Sequence, residues 1–145
     1  MNASNKILSE KLSVNSNTDN LSHIREFTRT SAEKAGFSED TIGKIILAVD
    51  EACTNIIKHA YKNLPGGIID IEIEYSNPRF AIKIVDQGIS FDVQKVPEPD
   101  IQEYYKQKRI GGLGVYLMKK LMDEVNYSTL NNNRNQIEIV KYLTR

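Results

Sequence analysis

The sequence predicts an α+β fold: a two-layer sandwich with one mixed or antiparallel sheet and helices on one face. Three observations lead there. Ile69, Ile71, Ile73 and Tyr75 alternate with polar residues, and Phe80, Ile82 and Ile84 do the same after the break at Ser76-Asn77-Pro78. That is the pattern of paired antiparallel strands with one buried side. Between Ser38 and Tyr61 the apolar residues recur at helical spacing instead. Finally, the element order β-α-α-β-β-loop-α-β-β groups the strands in pairs and does not alternate each with a helix.

Taken in order, Ile7 to Val14 alternates loosely and reads as a first strand. Asn15-Ser-Asn-Thr-Asp19 then offers capping side chains, and Leu21, Ile24, Phe27 and Ala35 mark the inner face of a helix ending at Gly36. Ser38-Glu-Asp-Thr41 opens a second helix, which runs to about Tyr61 before Leu64-Pro-Gly-Gly67 stops it. The two strands Ile68 to Tyr75 and Arg79 to Val85 follow. A long polar, proline-containing stretch from Gln87 to Ile110 reads as a loop, and loops of this length are usually functional or disordered. Gly112 opens a third helix to about Glu124, and Val125 to Leu130 and Gln136 to Leu143 flank a turn at Asn131-Asn-Asn-Arg134.

A length of 145 residues is that of one domain, taken as 1–145, with room for a sizeable core. Nineteen basic residues balance nineteen acidic ones, so neither nucleic acid nor an anionic membrane is an expected partner. Cys53 is the single cysteine, which excludes an internal disulfide and a multi-thiolate metal site. His23 and His59 show no ligand spacing. The polar start at Met1 and the lack of any apolar run near the roughly 20 residues that span a bilayer make the cytoplasm the expected compartment.

Three places could carry chemistry. On the second helix, Ile42, Ile45, Ile46, Val49, Ala52, Cys53, Ile56 and Ala60 share one arc and form the core face. Glu51, Asn55 and His59 follow at four-residue steps and make a slanting stripe beside it. A carboxamide oxygen there can ligate a hard cation such as Mg²⁺, and a carboxylate one turn away can take a proton. A solvated polar edge would look the same. The second place is Asp86-Gln-Gly88, at a strand end, where a glycine lets backbone approach a flat ring while the carboxylate accepts from an amine. The third is Gly111-Gly112-Leu113-Gly114, whose backbone N–H groups at a helix start suit a phosphate. An ordinary turn and an unliganded helix entry explain these two equally well when each is taken alone.

Together, the stretches resemble one family. Glu51-Ala-Cys-Thr-Asn55-Ile-Ile-Lys-His59-Ala-Tyr61 is similar to the asparagine box of the Bergerat-fold (GHKL, histidine kinase-like) ATPases. Asp86-x-Gly88-x-x-Phe91-Asp92 resembles their first glycine box, and Gly112-Leu113-Gly114 the second. The run from Gly111 to Val125 resembles the bacterial anti-sigma serine/threonine kinase branch.

The resemblance implies ATP and Mg²⁺ as cofactors and a role for each residue. Glu51 is then the general base, Asn55 the Mg²⁺ ligand, and Asp86 the acceptor of the adenine amino group beside Gly88. Gly112, Leu113 and Gly114 offer N–H groups to the phosphates. His59 falls at a family position beside those phosphates. Arg109 is either a lid arginine neutralising γ-phosphate charge or an exposed charge, in a lid of roughly 87–110. Arg25 falls where related kinases contact protein partners, and a plain surface charge fits equally. Cys53 reads as packing. One departure stands out: Arg134-Asn135 replaces the usual Gly-Thr pair, which puts a water-assisted adenine contact in doubt.

The implied function is phosphorylation of a serine on a small anti-sigma-factor-antagonist protein. Sequestration of a regulatory partner such as a sigma factor, and homodimerisation, follow from the same resemblance. A nucleotide-gated binding module without kinase activity is the rival reading. A detached catalytic domain from a histidine-kinase system is a third; with no phosphoacceptor helix pair read ahead of the domain, a complete sensor histidine kinase is not expected.

Overall fold

The computed structural model of the chain describes residues 7–88, 110–131 and 133–144, with the side chains of 110–113 left aside. Five strands form one sheet: β1 (Ile7–Asn15), β2 (Ile68–Ser76), β3 (Arg79–Asp86), β4 (Glu124–Leu130) and β5 (Arg134–Tyr142). Their spatial order is β1-β2-β3-β5-β4, and every neighbouring pair is antiparallel, which settles the choice between a mixed and an antiparallel sheet. Three helices pack against it: α1 (Leu21–Ala35), α2 (Glu39–Asn55) and α3 (Ile110–Leu121).

The register explains the two faces. Ile73 pairs with Ile82 and Ile82 with Ile139, while Ile71 pairs with Ile84 and Ile84 with Ile137. These isoleucines are buried beneath Ile42, Ile45, Val49 and Cys53 of α2 and Ile24 and Ala32 of α1. Because side chains alternate along a strand, the intervening residues occupy the other face. There Lys11 faces Glu72, Glu72 faces Lys83 and Lys83 faces Glu138, so charge alternates across four strands. Lys11 and Glu72 approach to 3.3 Å.

Local signals set the helix ends. Ser38 caps α2, its hydroxyl accepting from the Thr41 N–H at 3.3 Å. Asn17 caps a single 3₁₀ turn, Thr18–Asn20, that leads into α1. At Gly36 the chain leaves α1 with its N–H bonded to the carbonyls of Ala32 and Glu33.

Two helices differ in extent from the sequence reading. The α-helix expected to reach Tyr61 stops at Asn55 and widens into a π-turn over Ile56–Ala60, with the Tyr61 N–H donating to the Ile56 carbonyl at 2.9 Å. Apolar spacing cannot distinguish the two, because Ile56, Ile57 and Ala60 are buried in either winding. The third helix starts at Ile110, two residues before Gly112, and ends at Leu121, where Met122 and Asp123 turn into β4.

Phe80 anchors the far end of the core, fully buried, edge-on to Phe37 at 5.3 Å and tilted against Tyr75 at 6.2 Å. Phe80→Ala is expected to cost about 3–5 kcal/mol through lost burial and the cavity left behind. Leu47→Ala, at a side chain 44% exposed, should stay within about 0.5 kcal/mol. Urea denaturation of the two variants checks both.

Candidate functional site

The three sequence segments meet along the end of α2 and the π-turn that follows it. The inner arc of that stretch (Val49, Ala52, Cys53 and Ile56) is buried, and this fixes the rotation of the helix. Glu51 is thereby placed at the edge of the core, half-buried, and Asn55 one turn further on is buried. Burial raises the Glu51 carboxyl above its ordinary range, the negative Asp50 beside it raises it further, and Lys58 partly offsets both. Asn55 Nδ2 is buried with no hydrogen-bond partner among the described residues. Such an atom costs on the order of 1–3 kcal/mol, so this amide does not add to the stability of the fold.

The start of α3 closes on these two side chains. A methyl group on Gly114 would lie 2.7 Å from Glu51 Oε2 and 3.4 Å from Asn55 Nδ2, so it would push the end of the Glu51 side chain out of its present place. Ile110, Gly111 and Gly112 form the first turn of this helix. First-turn N–H groups lack intrahelical partners and face outward along the axis, where an anion is favoured. Gly114 lies one turn in, and α-helical geometry directs its N–H back to the Ile110 carbonyl. Gly114 packs closely against Glu51, and Gly112 and Leu113 lie nearer the helix mouth.

The Asp86 turn approaches from the other side. Asp86 ends β3, 6% exposed, and Oδ1 accepts the Gly88 N–H at 2.8 Å. Burial raises the Asp86 carboxyl, and hydrogen bonds from Asn135 and Gly88 hold it back down. Gly88 packs directly on the backbone of Ala60, at the end of the π-turn, where any Cβ would overlap the Ala60 carbonyl. Tyr61 ties the region together: its hydroxyl donates to the Ile68 carbonyl at 2.7 Å and accepts the Gln87 N–H at 2.8 Å. All three segments thus border one stretch of chain, from Glu51 to Tyr61.

The remaining sequence candidates divide. His59 is exposed, on the π-turn that follows Asn55. Arg25 is half-exposed on α1, with Nε 2.8 Å from Asp50 Oδ1. Cys53 is fully buried and its thiol is pushed well up, so it serves as packing. Arg109, Phe91, Asp92 and residues 89–109 of the expected lid lie outside the described residues. Sequence reasoning missed Tyr61, whose bridging role depends on contacts across 7 and 26 positions. It named Asn135 as a departure whose amide could substitute as a hydrogen-bonding group, without placing its partners. In fact, Asn135 is 3% exposed and donates from Nδ2 to Asp86 Oδ1 at 3.2 Å and to the Gly88 carbonyl at 3.0 Å.

The donor set fits one hard cation shared with a phosphate ligand. Asn55 offers an amide and Glu51 a carboxylate, and Mg²⁺ is commonly held by one or two such oxygens, with phosphates and waters filling the other positions. No group of three or more His, Cys, Asp or Glu side chains that could hold a metal ion by themselves occurs among the described residues. A groove of about 580 Å³ on the open sheet face, lined by Lys11, Asp70, Glu72 and Lys83, is separate from this site. Among the described residues, no helix is long and apolar enough to cross a membrane.

Comparison with known proteins agrees with this geometry. Residues 14–141 match the family described as histidine kinase-like ATPase domain. The chain is 39% identical over 98 residues to the serine-protein kinase RsbW of Listeria monocytogenes serovar 1/2a, covering 65% of this chain and 62% of that protein. It is also 39% identical over 118 residues to RsbW of Bacillus licheniformis, covering 79% and 72%. The match thus spans about three fifths of the Listeria protein's length. In fold it resembles a chain in the SiaB–SiaC complex of Pseudomonas aeruginosa, with a TM-score of 0.65, 14% identity and coverage of 94% of this chain and 90% of the other. The chain belongs to the histidine kinase-like ATPase domain family and, within it, groups with the RsbW serine-protein kinases.

Proposed function

We propose that the chain is an ATP-dependent protein serine/threonine kinase of a partner-switching circuit. Its substrate is a serine hydroxyl on a small anti-sigma-factor-antagonist protein. The observation that carries this reading is the meeting of the Asp86 turn and the Gly114 helix on the stretch that holds Glu51 and Asn55. Similarity to proteins named serine-protein kinase favours phosphoryl transfer to serine over simple gated binding.

In this reading Asp86 takes the adenine amino group and the first turn of α3 takes the phosphates. Asn55 holds Mg²⁺, which when bound neutralises phosphate charge. Glu51 accepts the proton of the seryl hydroxyl as its oxygen attacks the γ-phosphorus. The new oxygen–phosphorus bond forms, the bond to the bridging oxygen breaks, and ADP leaves. A carboxyl raised by burial is a stronger base than an exposed one, which suits this task. His59 and Arg109 are assigned to the phosphate end.

Arg25 lies on the exposed side of α1, and we assign it to the docking surface for the antagonist. A sigma factor as second partner, homodimerisation and a cytoplasmic setting complete the proposal. The balanced charge of the chain gives no support to direct nucleic-acid binding.

Incubation with radiolabelled ATP and the antagonist protein tests the scheme. Glu51→Gln should lower phosphoserine formation by about 10²–10⁴-fold, the usual worth of a general base, with ATP binding retained. Undiminished acid-stable label in the variant would remove Glu51 from the base role, and acid-labile label would point to histidine. The pH profile supplies a second check. Glu51 must be ionised, so the rate falls as pH drops through its raised pKa, and Asp50→Asn should move that limb to lower pH by removing a neighbouring negative charge.

Gly114→Ala pushes a methyl into the Glu51 carboxylate. Displacement of that group by about 1 Å should cost on the order of 10²-fold in turnover, with an unchanged circular dichroism spectrum.

A further inference from the structure

The helix-facing ladder between β3 and β5 ends in a polar rung. After Ile82 with Ile139 and Ile84 with Ile137, the next pair on that face is Asp86 with Asn135. Both are buried, at 6% and 3% exposure, where an amide and a carboxylate persist only if they are well bonded. Asn135 Nδ2 carries two hydrogens and has two acceptors: Asp86 Oδ1 at 3.2 Å and the Gly88 carbonyl at 3.0 Å. Asp86 Oδ1 also receives the Gly88 N–H at 2.8 Å. One carboxylate oxygen is therefore held by two donors, while no described residue donates to Oδ2. A hydroxyl side chain has a single hydrogen and could hold Asp86 or Gly88, but not both.

We propose that Asn135 is a positioning residue that sets a preference for 6-aminopurine over 6-oxopurine nucleotides. It acts through Asp86 and Gly88 and does not contact the base. With Oδ1 fixed, Oδ2 is the oxygen left to accept from an exocyclic amine. A 6-oxopurine brings a second acceptor to the same place, leaving two oxygens opposed and the carboxylate without a donor. Sites built around such a hydrogen bond reject the analogue that lacks it far more strongly than apolar pockets reject a change of size. The inference rests on the nucleotide-binding reading above and adds to it the residue that supplies the discrimination.

The experiment measures equilibrium binding of ATP and inosine triphosphate to the full chain with Mg²⁺, for wild type, Asp86→Ala, Asn135→Ala and Asn135→Thr. Wild type should prefer ATP, and Asp86→Ala should abolish the preference. Asn135→Ala should weaken ATP binding about ten- to a hundredfold, as expected for a lost bond to a charged group, and leave inosine triphosphate binding unchanged. Asn135→Thr should fall between the two. A purely structural role would lower both affinities together and keep their ratio, and that result overturns the proposal. So does an unchanged ratio in Asn135→Thr should the alanine variant fail to fold. Wild type binding neither nucleotide overturns the nucleotide reading itself, whereas a preference that depends on Asp86 but not on Asn135 overturns this inference alone.

Discussion

The site depends on close approach to one helix end. The Gly88 backbone comes so near the Ala60 carbonyl that it leaves no room for a Cβ, and the Gly114 backbone comes so near Glu51 that a Cβ would displace the carboxylate. Such contacts require the helix to hold its position to within a fraction of an ångström, and interior packing of native density supplies that rigidity. Ile45, Val49 and Cys53 are fully buried against the sheet, and burying a large aliphatic side chain is worth about 1.5–3 kcal/mol. The Asn55 amide, unpaired among the described residues at a cost of about 1–3 kcal/mol, is tolerable only beside that much apolar burial.

The two acidic residues of the site are tuned by different surroundings. Burial raises both carboxyls. At Glu51 the next influence is a like charge, Asp50, which makes the group more eager for a proton. At Asp86 the next influences are donors, Asn135 and Gly88, which favour the ionised form and fix its direction. A proton acceptor and a recognition acceptor have opposite needs, and pushing two carboxyl environments apart is a general way to assign them different work. The Arg25–Asp50 ion pair adds a link between α1 and this balance, because whatever draws Arg25 away leaves the charge of Asp50 less compensated next to Glu51.

Much of this was legible in the sequence because it follows from periodicity. Alternation through Phe80, Ile82 and Ile84 puts Asp86 on the helix-facing side, and the helical arc around Val49 and Cys53 puts Glu51 and Asn55 at its edge. The resemblance to a known family then joined segments that were ambiguous apart. Three things were not legible, each for a physical reason. The π-turn at Ile56–Ala60 has the same apolar residues an α-turn would have. The Tyr61 bridge depends on contacts that no spacing rule encodes. The pairing of Asp86 with Asn135 depends on register across 49 residues, set by the turns and not by the alternation.

Asn135 shows how a departure from a family pattern can be read physically. In isolation, the replacement of a threonine by asparagine suggests a lost contact. In place, the larger amide reaches two acceptors, and Tyr61 holds Gln87, between them in sequence, from the opposite side. The turn from Asp86 to Gly88 is thus secured by the sheet and by the helix end together. A turn secured in this way loses little conformational freedom on meeting a ligand, so less of the binding energy is spent on ordering it. On the proposed reading, the substitution therefore exchanges a group that could reach the base for one that stiffens the residue assigned to it.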